Sequence, residues 1–350
     1  MRFWLNLPLP VPITMGMAMI RKSWWRRIRL FWVGALIVAL LQSCNHPLQL
    51  QSQVKSSEVT GFACHRVRHE FGETCIPPHP QRVIAMEDNS LEVLVALGLK
   101  PIASTIPNRT GSKTLLLQDK IGEIVNLGRE SQPNLERMIQ LKPDLILGMS
   151  ISPQMYSLLS RIAPTVSVEY AHTNWKKTFQ QVAAIVDRQA TANEVLSAYQ
   201  KRLETVRSQV LQHNGQQTLC VMRFYTTTQF NQFFTQNSFA VSVLDELGVV
   251  TIPDLQRQQW QIPNTDWGYF NTSLEQIDLL EADFMFVAID PGAEFSFESY
   301  TNSPLWQTLN VVKQNKVYVV DSGHWVFGNI LSANAILDDI AKHLLKENYK

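Results

Sequence analysis

The sequence is short of the groups that most enzymatic and nucleic-acid-binding chemistries need. Four cysteines occur in 350 residues, at Cys44, Cys64, Cys75 and Cys220, whereas a metal-cluster enzyme needs several of them on loops. No G-x-S-x-G nucleophile motif is present. Charge is sparse, at 17% of residues, and unevenly spread. Residues 1–43 hold six basic residues (Arg2, Arg21, Lys22, Arg26, Arg27, Arg29) and no acid, and beyond them 25 basic residues face 30 acidic ones. The overall charge of +1 therefore hides a remainder of about −5. No basic patch survives that would suit a phosphate backbone, so nucleic acid is not an expected partner.

What is present begins with a leader. Residues 21–29 form a positive segment, and residues 30–41 (LFWVGALIVALL) an apolar run of twelve. That is the length of a signal-peptide core and short for a helix crossing a bilayer. The run ends Leu41-Gln42-Ser43-Cys44, which resembles a lipobox, so residues 1–43 are expected to be a lipoprotein-type signal peptide and Cys44 the lipidated residue. Ordinary cleavage near Ser43, or an uncleaved anchor with Cys44 free, is the alternative. Residues 1–20 precede the positive segment, which makes Met15, Met17 and Met19 candidate initiators. Residues 44–61 are polar and without periodicity, as a flexible tether would be.

The most informative stretch occurs twice. Residues 134–148 (NLERMIQLKPDLILG) align with residues 273–287 (SLEQIDLLEADFMFV), 139 positions later. Leu135/Leu274, Glu136/Glu275, Leu141/Leu280 and Asp144/Asp283 are identical. In each copy a capping residue, Asn134 or Ser273, opens a short amphipathic helix, and an apolar run then reads as a buried strand. Ser273 with Gln276 fits a capping box. The offset is too long for a solenoid and suits two similar α/β lobes.

Around the repeat, strands alternate with helices, which argues for parallel sheets with ligands at the carboxyl ends of the strands. Strands are expected at 82–86, 100–105, 165–169, 218–224 and 316–320. Helices are expected at 90–97, 153–162 and 239–247, with a last one near 332–346. Segments 225–231 and 252–271 read as loops. Residues 174–188 and 191–213 are helical. The second, without proline or glycine, would make about 34 Å of stiff connection, with Val195, Leu196, Tyr199, Leu203, Val206, Val210 and Leu211 as its apolar stripe. The expected division is an N-terminal lobe at 62–173, a helical bridge at 174–214 and a C-terminal lobe at 215–350. Ahead of the first lobe, residues 62–78 read as a hairpin that sets Cys64 opposite Cys75. Either a disulfide or two reduced thiols fits there. His65 and His69 share a strand face but stand about 13 Å apart, poor spacing for a metal. Cys220, on an apolar strand, reads as a buried thiol.

At this point residues 82–104, 134–148, 242–248 and above all 303–340 (SPLWQTLNVVKQNKVYVVDSGHWVFGNILSANAILDDI) resemble the substrate-binding proteins of iron-siderophore, haem and cobalamin ABC importers. The resemblance is strongest to the cyanobacterial iron-siderophore branch and runs from Cys64 to the C-terminus in the family's order. It implies an α/β protein of two Rossmann-like lobes with mostly parallel sheets, joined by one long rigid helix, with the ligand in the cleft between them. It also implies a ferric siderophore as bound ligand, no intrinsic cofactor and no catalytic residue. The expected setting is periplasmic or at the cell surface, with an ABC permease and its ATPase as partners, a lipid anchor and a monomeric chain.

A ferric siderophore arrives with its iron already coordinated, so the protein needs flat aromatic surfaces and a few cations rather than metal ligands. Loop residues after strands are the candidates: Arg223 and Tyr225 after the second lobe's first strand, and Trp325 and Phe327, with His324, after its last. In the first lobe they are Arg109, the 87–89 loop, Tyr170 and His172. One of Trp260 and Trp267 is expected to form an aromatic wall, as in the cobalamin-binding relatives. For Arg223, a salt bridge within the lobe is the competing reading. Glu136 and Glu275 match the glutamates that dock such proteins on an arginine pocket of the permease; each also suits the first turn of a helix for its own sake. Haem, cobalamin or a bare metal ion is the alternative cargo. Bare metal would want three or four converging ligands, and only His172 and His324 qualify among the histidines. A two-lobed metal-cluster enzyme or chelatase is the remaining class.

Overall fold

Asp144 and Asp283, identical in the two copies of the repeat, make equivalent bonds in the folded chain. Asp144 accepts hydrogen bonds from the backbone N–H groups of Gln81 (2.8 Å) and Arg82 (2.9 Å), just ahead of a strand. Asp283 accepts from the N–H and the hydroxyl of Thr218, both at 2.8 Å, at the matching point 139 residues on. Each aspartate thus ties the start of its lobe's first strand to the turn before the neighbouring strand. The computed structural model describes residues 64–106, 115–225, 231–259 and 268–345.

The chain opens with a hairpin, β1 (His65–His69) and β2 (Gly72–Ile76), closed by a Cys64–Cys75 disulfide with Cα atoms 5.6 Å apart. Lobe 1 follows as β3 (Val83–Ala85), α1 (Asp88–Ala96), β4 (Ala103–Ile106), α2 (Leu115–Ile121), β5 (Val125–Arg129), β6 (Gln132–Pro133), α3 (Leu135–Leu141), β7 (Leu145–Met149), α4 (Pro153–Leu159) and β8 (Thr165–Val168). Its sheet runs β6-β5-β4-β3-β7-β8, parallel except for the β5/β6 pair. After a short 3-10 turn come α5 (Trp175–Ile185) and α6 (Gln189–Asn214). Lobe 2 contains β9 (Gln217–Phe224), β10 (Asn231–Phe234), α7 (Phe239–Leu247), β11 (Val250–Thr251), α8 (Asp254–Gln259), β12 (Tyr269–Thr272) and β13 (Phe284–Ile289). It ends with α9 (Glu294–Thr301), α10 (Asn310–Lys313), β14 (Val317–Asp321), α11 (Ser322–Trp325) and α12 (Ile330–Leu344). Its sheet runs β12-β10-β9-β13-β14, with β11 also paired to β9.

Side-chain alternation explains how the lobes join. On β9, Leu219 and Val221 face one apolar cluster while Cys220, Met222 and Phe224 face another; β3 divides Val83 and Ala85 from Ile84 in the same way. The inward faces of both sheets belong to a single cluster, which also takes Leu91 and Leu94 of α1, Phe179 of α5, Leu203 of α6, Phe239 of α7 and Ile336 of α12. Strands covered on both faces read as continuous apolar runs, as parallel strands must. Each fully buried Leu, Phe or Val contributes roughly 1.5–3 kcal/mol, so this shared layer binds the lobes far more strongly than one connecting helix could. Helix α6 has 26 residues, about 39 Å. It is one member of a helical layer rather than a lone strut, because α12 returns from the C-terminal end to pack on α6, α5 and α1.

Several expectations are corrected. The second repeat copy is a 3-10 segment, Leu274–Leu280, kinked at Gln276, and the Ser273 side chain makes no cap. Asn134 does cap α3, accepting from Arg137 N at 2.9 Å. A capping box exists where a loop was expected: Glu87 and Ser90 bond reciprocally, so α1 starts at Asp88. The 252–271 segment contains α8 and all but the last residue of β12, and β10 begins where the 225–231 loop was expected to end; β10 and β12 form an antiparallel ribbon on β9. Leu211, placed on the apolar stripe of α6, is 49% exposed.

Candidate functional site

In lobe 1 the carboxyl ends of three strands open on one cavity of about 260 Å³. Glu87 follows β3, Glu130 and Ser131 follow β5, and Ser150 and Ser152 follow β7, with Met86, Met149 and Met155 as apolar lining. Glu87 Oε1 accepts from Ser90 N (3.2 Å) and Met149 N (3.0 Å). Burial, with the charge of Glu130 adding to it, pushes the Glu87 carboxyl up to about 8 against those hydrogen bonds. At neutral pH this wall is therefore richer in donors than its composition implies. A larger cavity of about 570 Å³ lies between β1, the edge of β8 and α5, and takes residues from none of lobe 2.

Where the lobes meet, the side chains change character. The Tyr170 hydroxyl donates to the carbonyl of Gly328 (2.9 Å), and burial pushes its pKa above the usual tyrosine range, so it stays protonated. Tyr170 meets His172 edge-on at 5.0 Å between ring centroids, and His172 lies 5.2 Å from Phe327. From β9, the Arg223 guanidinium sits over Tyr225 (5.5 Å) and Phe327 (5.9 Å). Five residues singled out from sequence, Tyr170, His172, Arg223, Tyr225 and Phe327, thus converge where both lobes contribute.

Arg223 does not stand there as a free cation. It is 3% exposed and paired with Asp290, whose Oδ2 accepts from Nη2 at 2.5 Å and from Nε at 3.2 Å. Asp290 directly follows β13, the strand beside β9, and its Oδ1 has no hydrogen-bond partner among the described residues. The competing salt-bridge reading is what the structure contains. The guanidinium keeps its face for the two rings while Asp290 cancels its charge.

Trp325 is a correction. It is 0% exposed, donates from Nε1 to Asp339 Oδ2 (2.8 Å) and packs 4.9 Å from Phe286. The chain folds into α11 directly after β14, which turns Trp325 into the shared core, where its large apolar surface and its one N–H are both satisfied. His324 bonds to the same Asp339 oxygen at 2.9 Å. Arg109, Trp260, Trp267 and Cys44 lie outside the described residues. Glu136 and Glu275 are both exposed in the first turn of their helices, and neither has a hydrogen-bond or ion-pair partner among the described residues. Cys220 is fully buried, its thiol pushed up to about 12 by burial. No group of three metal-ligating side chains forms among the described residues.

Sequence reasoning missed Phe295, an aromatic 81% exposed on α9 just beyond the 290–292 turn at the end of β13. Its position after a strand was the available signal, hidden because α9 has no apolar periodicity. It also missed Asp290 as the partner of Arg223, which only the pairing of β9 with β13 brings within reach.

Comparison with known proteins agrees with this architecture. Residues 83–323 match the family model described as periplasmic binding protein. The chain is 29% identical to the probable siderophore-binding lipoprotein YfiY of Bacillus subtilis over 329 residues, covering 92% of this chain and 99% of that protein. It is 32% identical to the achromobactin-binding periplasmic protein of Dickeya dadantii over 269 residues, covering 75% and 86%. Among solved structures, Staphylococcus aureus SirA complexed with staphyloferrin B superposes with a TM-score of 0.68 at 25% identity, covering 81% of this chain and 99% of that one.

Proposed function

The chain belongs to the periplasmic binding protein family, and from that membership we propose that it captures a ferric siderophore outside the cytoplasm and hands it to an ABC importer. It is a substrate-binding protein and not an enzyme, with the chelate as ligand and no intrinsic cofactor. The observation that carries the reading is the convergence of Tyr170, His172, Arg223, Tyr225 and Phe327 from both lobes beside the strand ends. Aromatic faces, held in place over the neutralised Arg223–Asp290 pair, suit a flat, oxygen-rich chelate whose metal needs no further ligand. Relatives named for achromobactin and siderophore binding, and the staphyloferrin B complex of the similar structure, support the same cargo class.

Within this reading, Arg109 and one of Trp260 and Trp267 complete the walls, and Cys44 carries a lipid that tethers a monomer to the membrane. Glu136 and Glu275, exposed and unpaired in matching places on the two lobes, are the docking pair for the permease. Intrinsic fluorescence tests the cargo: titrating the full-length protein with ferric hydroxamate, catecholate and citrate chelates should give a saturable change with at least one class. No response to any would contradict the reading. For docking, Glu136→Arg combined with Glu275→Arg should abolish uptake of labelled iron while chelate affinity stays within about twofold of wild type, since both changes lie on solvated surface. Lost affinity would make the two glutamates structural.

A further inference from the structure

A buried carboxylate outside the binding cluster joins the lobes. Glu92, on α1 of lobe 1, is 4% exposed, yet all its hydrogen bonds among the described residues run to lobe 2. Its Oε1 accepts from Asn329 N (3.0 Å) and Ser332 N (2.8 Å), and its Oε2 accepts from the Ser332 hydroxyl (2.7 Å). Asn329 is the N-cap of α12, and among the described residues its own side chain accepts only from Ile330 N (2.9 Å) while donating to Trp175 O (3.1 Å). The amide three residues into α12, which a local cap would ordinarily satisfy, is met instead from 240 residues away. A carboxylate at a helix N-terminus also meets the positive end of the helix dipole.

The clamped segment is the one that carries a binding wall. Phe327 lies two residues before Asn329, and the Gly328 carbonyl between them accepts from the Tyr170 hydroxyl. Gly328 has no room for a side chain: a Cβ there would stand 2.2 Å from Ser332 Cβ and 2.7 Å from Phe239 Cε1. The turn can keep this tight seat only while the first turn of α12 is held in place. At the other end of the same stretch of α1, Glu87 caps the helix and lines the lobe 1 cavity.

We infer that Glu92 is a positioning residue, a clasp through which lobe 1 caps α12 and so holds the Phe327–Gly328 turn against Tyr170, His172 and Arg223. It touches no ligand. It fixes the geometry of the place where the two walls meet, so that the site is set before any chelate enters. This rests on the proposed binding cluster for its purpose, but its structural content can be measured without ligand.

The test is amide hydrogen exchange followed by mass spectrometry on the full-length protein without chelate. Glu92→Leu should speed exchange in peptides covering residues 326–333 and 169–173 by about tenfold or more, with lobe 2 strand peptides unchanged. Glu92→Gln should stay within about threefold of wild type, because its amide oxygen still accepts the two N–H groups and its NH₂ can donate to the Ser332 hydroxyl. Should Glu92→Leu fail to fold, Ser332→Ala removes one of the three bonds and should give a smaller rise confined to the same peptides. Unchanged exchange there, or a uniform rise over the whole molecule, would overturn the clasp. Chelate titrations of wild type decide the cargo separately, so the two readings fail on different data.

Discussion

The two lobes share a scaffold and differ in their walls. Both place a parallel strand pair at the centre, β3 with β7 and β9 with β13, and both pin its start with the same aspartate. Lobe 1 then presents serines, methionines and two glutamates at its strand ends, with Tyr170 and His172 after β8, whereas lobe 2 sets Tyr225 and Phe327 over the buried Arg223–Asp290 ion pair. Lobe 2 also has the antiparallel β10–β12 ribbon beside its first strand, where lobe 1 has the parallel β4–β5 pair. Duplication of a lobe repeats the hydrogen bonds that make strands pair and leaves the loops beyond them free to diverge. Rings therefore come to the junction from both lobes, whereas the hydroxyl and carboxyl groups at the strand ends come from lobe 1.

The first way to break that contrast is at the ion pair. Asp290→Ala leaves the Arg223 guanidinium buried without a counter-charge, which should destabilise the protein by about 3–5 kcal/mol in denaturant unfolding. A loss under about 1 kcal/mol would mean that water reaches Arg223 and that lobe 2 is as polar as lobe 1.

A smaller effect distinguishes the lobe 1 wall. Burial raises the Glu87 carboxyl from its ordinary value of 4.5 to about 8, so between these values the folded state holds a proton that the unfolded state has released. Stability contributed this way falls as pH rises through that window. Glu87→Gln, which cannot ionise, should flatten the decline in melting temperature between about pH 5 and pH 8. An unchanged or steeper slope would show that Glu87 is solvated and ionised in the fold. Glu92 is raised by burial as well and remains in both proteins, so the difference isolates Glu87.

Much of this was legible in the sequence because it depends on local pattern. The repeat, its aspartates, the alternation of strands and helices and the apolar face of α5 are all set by neighbours within one or two turns. Of the residues that meet at the junction, Tyr170, His172, Arg223, Tyr225 and Phe327 were singled out because they follow strands. What was missed depends on distant partners. The resemblance placed Trp325 in the pocket, but packing on Phe286 and the Asp339 acceptor draw it into the core. Asp290 neutralises Arg223 from 67 residues away, and Glu92 reaches α12 across 240. No spacing rule reads such pairs. The β10 and β12 strands are four residues each, too short and mixed in polarity to announce themselves.

One titration tests the meeting of the lobes as the binding site most directly. The ferric chelate that wild type binds most tightly should be titrated calorimetrically into full-length wild type, His172→Ala and Phe327→Ala, one change on each side of the junction. Loss of either ring should weaken binding by about tenfold, the worth of one aromatic contact beyond its area. Affinity unchanged in both variants would place the ligand away from the meeting of the lobes and contradict the account.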